Sequence, residues 1–224
     1  GAGLEETLTI RDRSEVAVIG VGRDADDAYA PFVTEVRGQQ VGVIAANDVF
    51  DSNLVGSWTA TDTQPGIASA KEPHQQRLLA AVRDLREEVD TLAVYLHFGT
   101  ERDTCPHARQ RELVDALFDA GADIVVGSHA HRLQGLGYLG NRFVAYGLSN
   151  FVFRSPSAAG NATGVLTVTA TGRRIDGYDW APATIRNLVP VPLQGAESDS
   201  ALRHMADLRT CAGLSDSPTD TTEG

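Results

Sequence analysis

The chain has 224 residues, 42% of them hydrophobic, and its 30 acidic against 19 basic side chains give a formal charge of −11. That length is enough for one substantial core, while the acidic surface repels phosphate backbones and excludes nucleic acid as an expected partner. A polyanionic substrate meets the same repulsion unless metal ions or a local basic patch offset it.

Residues 4–13 read as a helix with Leu4, Leu8 and Ile10 to one side. Residues 16–19 read as a short strand closed by Gly20-Val21-Gly22, and residues 25–29 as a helical turn before Pro31. Residues 32–36 and 41–46 flank a hairpin turn at Arg37-Gly38-Gln39-Gln40. Residues 48–67, rich in Asp, Ser, Thr and Gly without a steady period, read as a long surface loop of the kind that often carries function. Pro73 opens an amphipathic helix using Leu78, Leu79, Val82, Leu85 and Val89, followed at once by a strand over 92–96. A second helix over 106–120 uses Leu113, Val114, Leu117 and Phe118, stops at Gly121, and gives way to a strand over 123–126.

Helix, strand, helix, strand in that order predicts an α/β fold with parallel strands joined by crossover helices. Residues 142–146 and 164–169 read as further strands of a more antiparallel set. Beyond Pro192 the composition turns polar, so the expected organisation is a domain over 1–192 and a polar tail over 193–224. That tail is expected to hold one short helix at 200–208 and disorder over its last ten residues. No apolar run reaches the roughly 18 residues of a membrane span, so no transmembrane segment is expected.

The one methionine is Met205, which leads to the expectation that processing or excision has removed what preceded Gly1. A missing leader then says nothing about the compartment. The two cysteines, Cys105 in a loop-like Thr-Cys-Pro and Cys211 in the polar tail, leave two readings open. They are unrelated thiols, or a disulfide that ties the tail to the domain and suits an extracytoplasmic protein.

The strongest chemical signal lies between residues 92 and 153. Two apolar runs end in histidine clusters, Leu96-His97-Phe98-Gly99 and Gly127-Ser128-His129-Ala130-His131. Ends of neighbouring parallel strands are where ligands and metals collect. His129 and His131 stand two apart and face the same way on extended backbone, and His97 occupies the matching place after the preceding strand. Gly99 and Gly127 are expected to let backbone and ligand approach closely. Imidazoles so placed point to zinc, iron or manganese; the alternative is hydrogen-bonded structural histidines at strand ends. His74, His107 and His204 are assigned no functional role. Ser128 lacks a Gly-x-Ser-x-Gly elbow, which argues against a nucleophilic hydrolase, and Gly20-Val21-Gly22 lacks the third glycine of a dinucleotide loop.

Three segments, Leu96 to Glu101 (LHFGTE), Ala120 to His131 (AGADIVVGSHAH) and Tyr146 to Phe153 (YGLSNFVF), together resemble the capsule synthesis protein CapA family. That family includes the surface component of poly-γ-glutamate synthesis and belongs to the calcineurin-like metallophosphoesterase superfamily. The resemblance covers residues 3–192, with Phe98, Ser128, Ala130 and Ser149 departing from the family's usual residues. It implies the C-terminal part of a metallophosphoesterase-type αββα sandwich with mixed sheets. The Gly-Asp, Asn-Leu-Glu and Asn-Asn-His motifs of the family's N-terminal part, with their acidic and bridging ligands, are not in this chain.

The resemblance further implies divalent metal ions (manganese, zinc or iron), two in the complete domain, with His97 and His129 serving one and His131 the other. Glu101, Ser128, Gln134 and Asn150 are the candidate substrate-binding residues it suggests, Glu101 being equally readable as a solvated loop acid and Asn150 as a turn cap. No catalytic residue is assigned. With no carboxylate in a bridging position, the chain is expected to hold at most one ion through three imidazoles. The implied role is a metal-dependent, phosphoesterase-type function in cell-surface polymer synthesis, outside the cytoplasm. Its expected partners are membrane components of that synthesis and an anionic polymer or phosphoester substrate. The alternative is a non-catalytic metal-binding scaffold that binds or guides an exported polymer.

Overall fold

Apolar runs and amphipathic helices lay out the chain in the computed structural model, which describes residues 1–219. Helix α1 (Ala2–Arg11) leads to a two-residue strand β1 (Val21–Gly22), a helical turn α2 (Ala25–Ala28) and the hairpin of β2 (Phe32–Val36) and β3 (Gln39–Asn47). After them come α3 (Val55–Trp58), β4 (Gly66–Ile67) and α4 (Gln75–Arg86). The central alternation is β5 (Thr91–Phe98), α5 (Ala108–Ala120) and β6 (Ile124–His129), followed by β7 (Leu136–Leu139) and β8 (Arg142–Ala145). A short α6 (Ala158–Asn161), three strands β9 (Ala162–Thr171), β10 (Arg174–Arg186) and β11 (Val189–Pro192), and the terminal helix α7 (Gly195–Ala212) complete it.

The main sheet has six strands in the order β2-β3-β5-β6-β8-β7. β3, β5, β6 and β8 run parallel, and β2 and β7 close the two edges antiparallel, so the fold is α/β with a mixed sheet. Crossover connections force this arrangement: α4 joins β3 to β5 on its way through the chain, and α5 joins β5 to β6. Both helices bury the predicted faces, Leu78, Leu79, Val82 and Leu85 in one and Leu113, Val114, Leu117 and Phe118 in the other. They pack with Leu92, Val94, Leu96 and Phe98 of β5 in one core cluster. Gly121 ends α5 in the left-handed conformation that glycine adopts without strain. Asp123, buried at the start of β6, accepts from Arg86 Nη1 (2.5 Å) and from the backbone of Leu92 (2.9 Å), locking the end of α4 to two parallel strands.

A second cluster unites β7 and β8 with β9, β10 and α7 through Leu136, Tyr138, Phe143, Ile175, Trp180, Met205 and Leu208. β9, β10 and β11 form a separate three-stranded antiparallel sheet. Several expectations change here. Residues 16–19 form no strand, with Val16 and Val18 exposed, and pairing instead joins Val21–Gly22 to Gly66–Ile67. The loop expected over 48–67 contains α3 and isolated bridges from Thr59 and Thr61. β7, β10 and β11 are additional strands, the longest of them interrupted by a bulge between Ile175 and Gly177 that breaks the period-two pattern.

The tail is likewise more structured than its polarity suggests. α7 spans 18 residues and buries Met205, Leu208 and Ala212. Ser215 and Tyr138 exchange both backbone hydrogen bonds, at 2.8 and 3.0 Å, so disorder over the last ten residues does not hold for Ser215. Thr219 also donates its backbone N–H to the Gly140 carbonyl at 2.9 Å, and residues 220–224 of that stretch lie outside the described residues. Cys105 and Cys211 are joined in a disulfide across 106 positions of sequence, clipping α7 to the loop before α5. Arg111 reinforces the clip by donating to the Cys211 carbonyl at 3.0 Å. Closing so long a loop restricts the unfolded chain strongly, so Cys211→Ser is expected to lower the unfolding free energy by about 2–4 kcal/mol. Urea denaturation checks this; an unchanged stability contradicts a structural bond.

Candidate metal centre

Register places the histidines before any side chain is considered. β5 and β6 pair with Leu96 opposite Gly127, His97 opposite Ser128 and Phe98 opposite His129, while Asn47 of β3 stands opposite His97 on the other side. Register partners on parallel strands share a face, so regular pleating would point Ser128, not His129, the same way as His97. The backbone breaks the pattern. His129 has φ +97° and His131 φ +50°, both left-handed, so the side chains do not follow the extended alternation assumed from their spacing. Ser149 (φ +62°) and Arg102 (φ +70°) are left-handed as well. Four non-glycine residues in strained backbone around one sheet edge are a feature that clusters at functional sites.

The turn at His129 swings its ring against His97, with centroids 4.7 Å apart. The His131 ring lies 6.2 Å from His129 on the other side. Two imidazoles sharing a tetrahedral ion at about 2.0–2.1 Å from nitrogen to metal bring their centroids roughly 5 Å apart. His97 and His129 fit that spacing, and His131 is too far from His129 for the same tetrahedral edge. Among the described residues no three His, Cys, Asp or Glu side chains form a closed metal-binding group. The expectation of three imidazoles on one ion is therefore corrected to a pair plus a neighbour. The residues present fit part of a coordination sphere, not the whole.

Hydrogen bonds decide which nitrogens are available. His131 Nδ1–H donates to Asn150 Oδ1 at 2.6 Å, which leaves Nε2 with its lone pair. Asn150 is itself fixed, its amide donating to the Gly160 carbonyl at 2.8 Å and its own carbonyl accepting from Thr163. Asn150 thus orients a histidine instead of capping a turn. Phe153 covers the opposite side of the His131 ring, centroids 5.0 Å apart. Ser128 Oγ sits 3.3 Å from His97 Nδ1 and helps to fix that ring. Desolvation, followed by His129 and His131, holds His97 below the usual histidine value. Desolvation also lowers His129, opposed by Glu101 and assisted by His131. Both shifts favour the neutral ring, the form that binds a cation.

The remaining candidates separate. Glu101 is exposed and close enough to act electrostatically on His129, and it lines a pocket with His131 and Asn150. Gln134 does not reach the site: it is fully buried, accepts from Gln110 at 3.0 Å and donates to the Asp103 carbonyl at 3.1 Å. Its role is to brace the start of α5. The two glycines also serve the protein, not a ligand. A Cβ at Gly127 would overlap the Phe98 ring and the Tyr146 carbonyl, and one at Gly99 would meet the Gln110 amide. His107 caps α5 in a reciprocal capping box with Gln110. One buried acid at this sheet edge escaped sequence reasoning. Asp48 follows β3, donates its backbone N–H to the His97 carbonyl at 2.9 Å, and is engaged by Arg109 (2.8 Å) and Lys71 (3.8 Å). Arg109 and Lys71 lie far off in sequence, so no local pattern announces the group.

A family model described as bacterial capsule synthesis protein matches residues 1–155. The chain belongs to that family. It is 30% identical over 152 residues to the capsule biosynthesis protein CapA of Bacillus anthracis, covering 67% of this chain and 36% of the relative. It is 27% identical over 197 residues to the PGA biosynthesis protein CapA of Bacillus subtilis, covering 86% of this chain and 49% of the relative. The chain thus spans between about a third and a half of the length of these curated relatives. Among solved structures it is similar to a 5'-nucleotidase from Candida albicans at 11% identity and a TM-score of 0.45, over 93% of this chain and 39% of that one.

The left-handed backbone at His129 carries its own test. Glycine adopts positive φ without the Cβ clash that alanine meets, so His129→Gly is expected to be about 1 kcal/mol more stable than His129→Ala. Thermal unfolding of the two variants measures the difference, and equal stability would contradict the strained turn.

Proposed function

We propose that this chain supplies one side of a metal-dependent, phosphoesterase-type centre in a protein of cell-surface polymer synthesis, working outside the cytoplasm. In this reading His97 and His129 hold one divalent ion and His131, oriented by Asn150, serves a second position. The observation that carries it is the left-handed turn that brings the His129 ring to 4.7 Å from His97 while a hydrogen bond of 2.6 Å fixes His131. Structural histidines at strand ends do not need the left-handed backbone at both His129 and His131. The metal would supply Lewis-acid stabilisation of a phosphoryl oxygen and activation of a water. The chain's own residues bind and orient: Ser128 steadies His97, Asn150 steadies His131, and Glu101 biases His129.

Three further features support the setting. The relatives are named for capsule and PGA biosynthesis. The disulfide suits an oxidising compartment. Among the described residues no helix is long and apolar enough to cross a membrane, so attachment to membrane-bound synthesis components would run through protein contacts or segments other than these.

A second reading is a metal-binding scaffold without turnover, in keeping with relatives named for polymer biosynthesis. Calorimetric titration with manganese or zinc and a phosphodiesterase assay on bis-p-nitrophenyl phosphate separate the two. The expected result is at most one weak site per chain, lost in His129→Ala. Two tight sites of equal affinity would contradict an incomplete centre. Turnover by a longer form of the protein, abolished by His129→Ala, supports the enzyme; metal binding without turnover in that form supports the scaffold.

A further inference from the structure

Next to the histidines lies a pocket of about 450 Å³ whose lining departs from the rest of this acidic molecule. Arg102, Arg132 and Arg154 face it, with Glu101 as the one acid, and His131 and Asn150 form its wall toward the metal centre. Of the fifteen other arginines, eight pair with a carboxylate, among them Arg11 with Asp27, Arg77 with Asp26, Arg86 with Asp123 and Arg109 with Asp48; what sets the pocket apart is three arginines around one concavity. Among the described residues, Arg102, Arg132 and Arg154 enter no ion pair.

One of the three guanidiniums, and the backbone of a second arginine, are held in place. Arg132 Nη1 donates to the His131 carbonyl at 2.7 Å, and the Arg102 backbone N–H donates to the Ala130 carbonyl at 2.7 Å from a left-handed φ of +70°. Like charges gathered around one concavity repel one another, and a protein with a formal charge of −11 has carboxylates enough to neutralise them. Three arginines against one acid around a single concavity suit a bound anion that completes the balance. The planar guanidinium fork matches the paired oxygens of phosphate and carboxylate.

We propose that this pocket is an anion subsite that binds a phosphate or carboxylate group of a ligand whose other end reaches the histidines. It answers the question posed by the overall charge, since it is a local basic patch that lets an acidic protein accept an anionic ligand. The subsite stands on the arginines alone; only its place on the path to the metal centre rests on the reading under Proposed function.

The test is calorimetric titration of the metal-free protein with inorganic phosphate and, separately, with glutarate, at constant ionic strength in chloride. Saturable binding of one equivalent of either anion is expected, phosphate marking a phosphoryl group and glutarate a carboxylate as the natural occupant. Arg102→Gln/Arg154→Gln, two exposed positions whose replacement leaves the circular dichroism spectrum unchanged, is expected to weaken binding by about tenfold or more. Arg83→Gln, on the exposed side of α4, is expected to bind as the parent does. Failure of both anions to bind, or unchanged binding in the double variant, overturns the proposal. If manganese does not bind while phosphate still does, the metal reading falls and the subsite stands.

Discussion

Parallel pairing of β5 with β6 is the constraint on which the site depends. With Leu96 opposite Gly127 and His97 opposite Ser128, the two central strands end together at their carboxyl ends, and each hands its chain to a polar loop there. The pairing is held from below by α4 and α5, by Asp123 bridging the starts of both strands, and by the Phe98 ring stacked on Tyr146 across the bare face of Gly127. A side chain at Gly127 would separate these groups and shift β6 against β5. The imidazoles are thus placed by core packing as much as by the loops that carry them.

On this rigid base the backbone turns left-handed at His129 and His131, and that departure from strand geometry, not the strand itself, gathers the rings. The supporting bonds run outward from the site. Asn150 connects His131 to the Gly160 carbonyl and to Thr163 at the start of β9, so the second sheet helps to orient a candidate ligand. The disulfide and α7 steady the loop that leads from Glu101 to α5. An acidic protein of the capsule synthesis family therefore presents, where its parallel strands end, three imidazoles beside a pocket lined by three arginines.

Much of this was legible in the residues. Continuous apolar runs before His97 and His129 announced parallel strands, the faces of α4 and α5 followed from helical spacing, and Gly121 marked the end of a helix. What escaped has physical causes. The bulge after Ile175 hides the alternation of β10, and β7 is a four-residue strand next to glycines. α7 reads as tail because only Met205, Leu208 and Ala212 of its 18 residues are buried. Spacing singles out His97, His129 and His131 as candidates but not how their rings gather, since a positive φ at a histidine leaves no mark in sequence. Gln134 reads as a site candidate because a polar side chain beside a motif looks the same in sequence whether it meets substrate or, as here, Gln110 and buried backbone. The arginine group is scattered over residues 102 to 154 and becomes a group only when folded.

The central claim, that His97 and His129 form a shared edge of one cation site while His131 stands apart, is tested most directly by anomalous diffraction from crystals soaked in zinc. The account predicts a peak within about 2.0–2.1 Å of Nε2 of both His97 and His129, with His131 outside that ion's ligand shell. A zinc ion bound by His131 alone, or no peak between the paired rings, would contradict it.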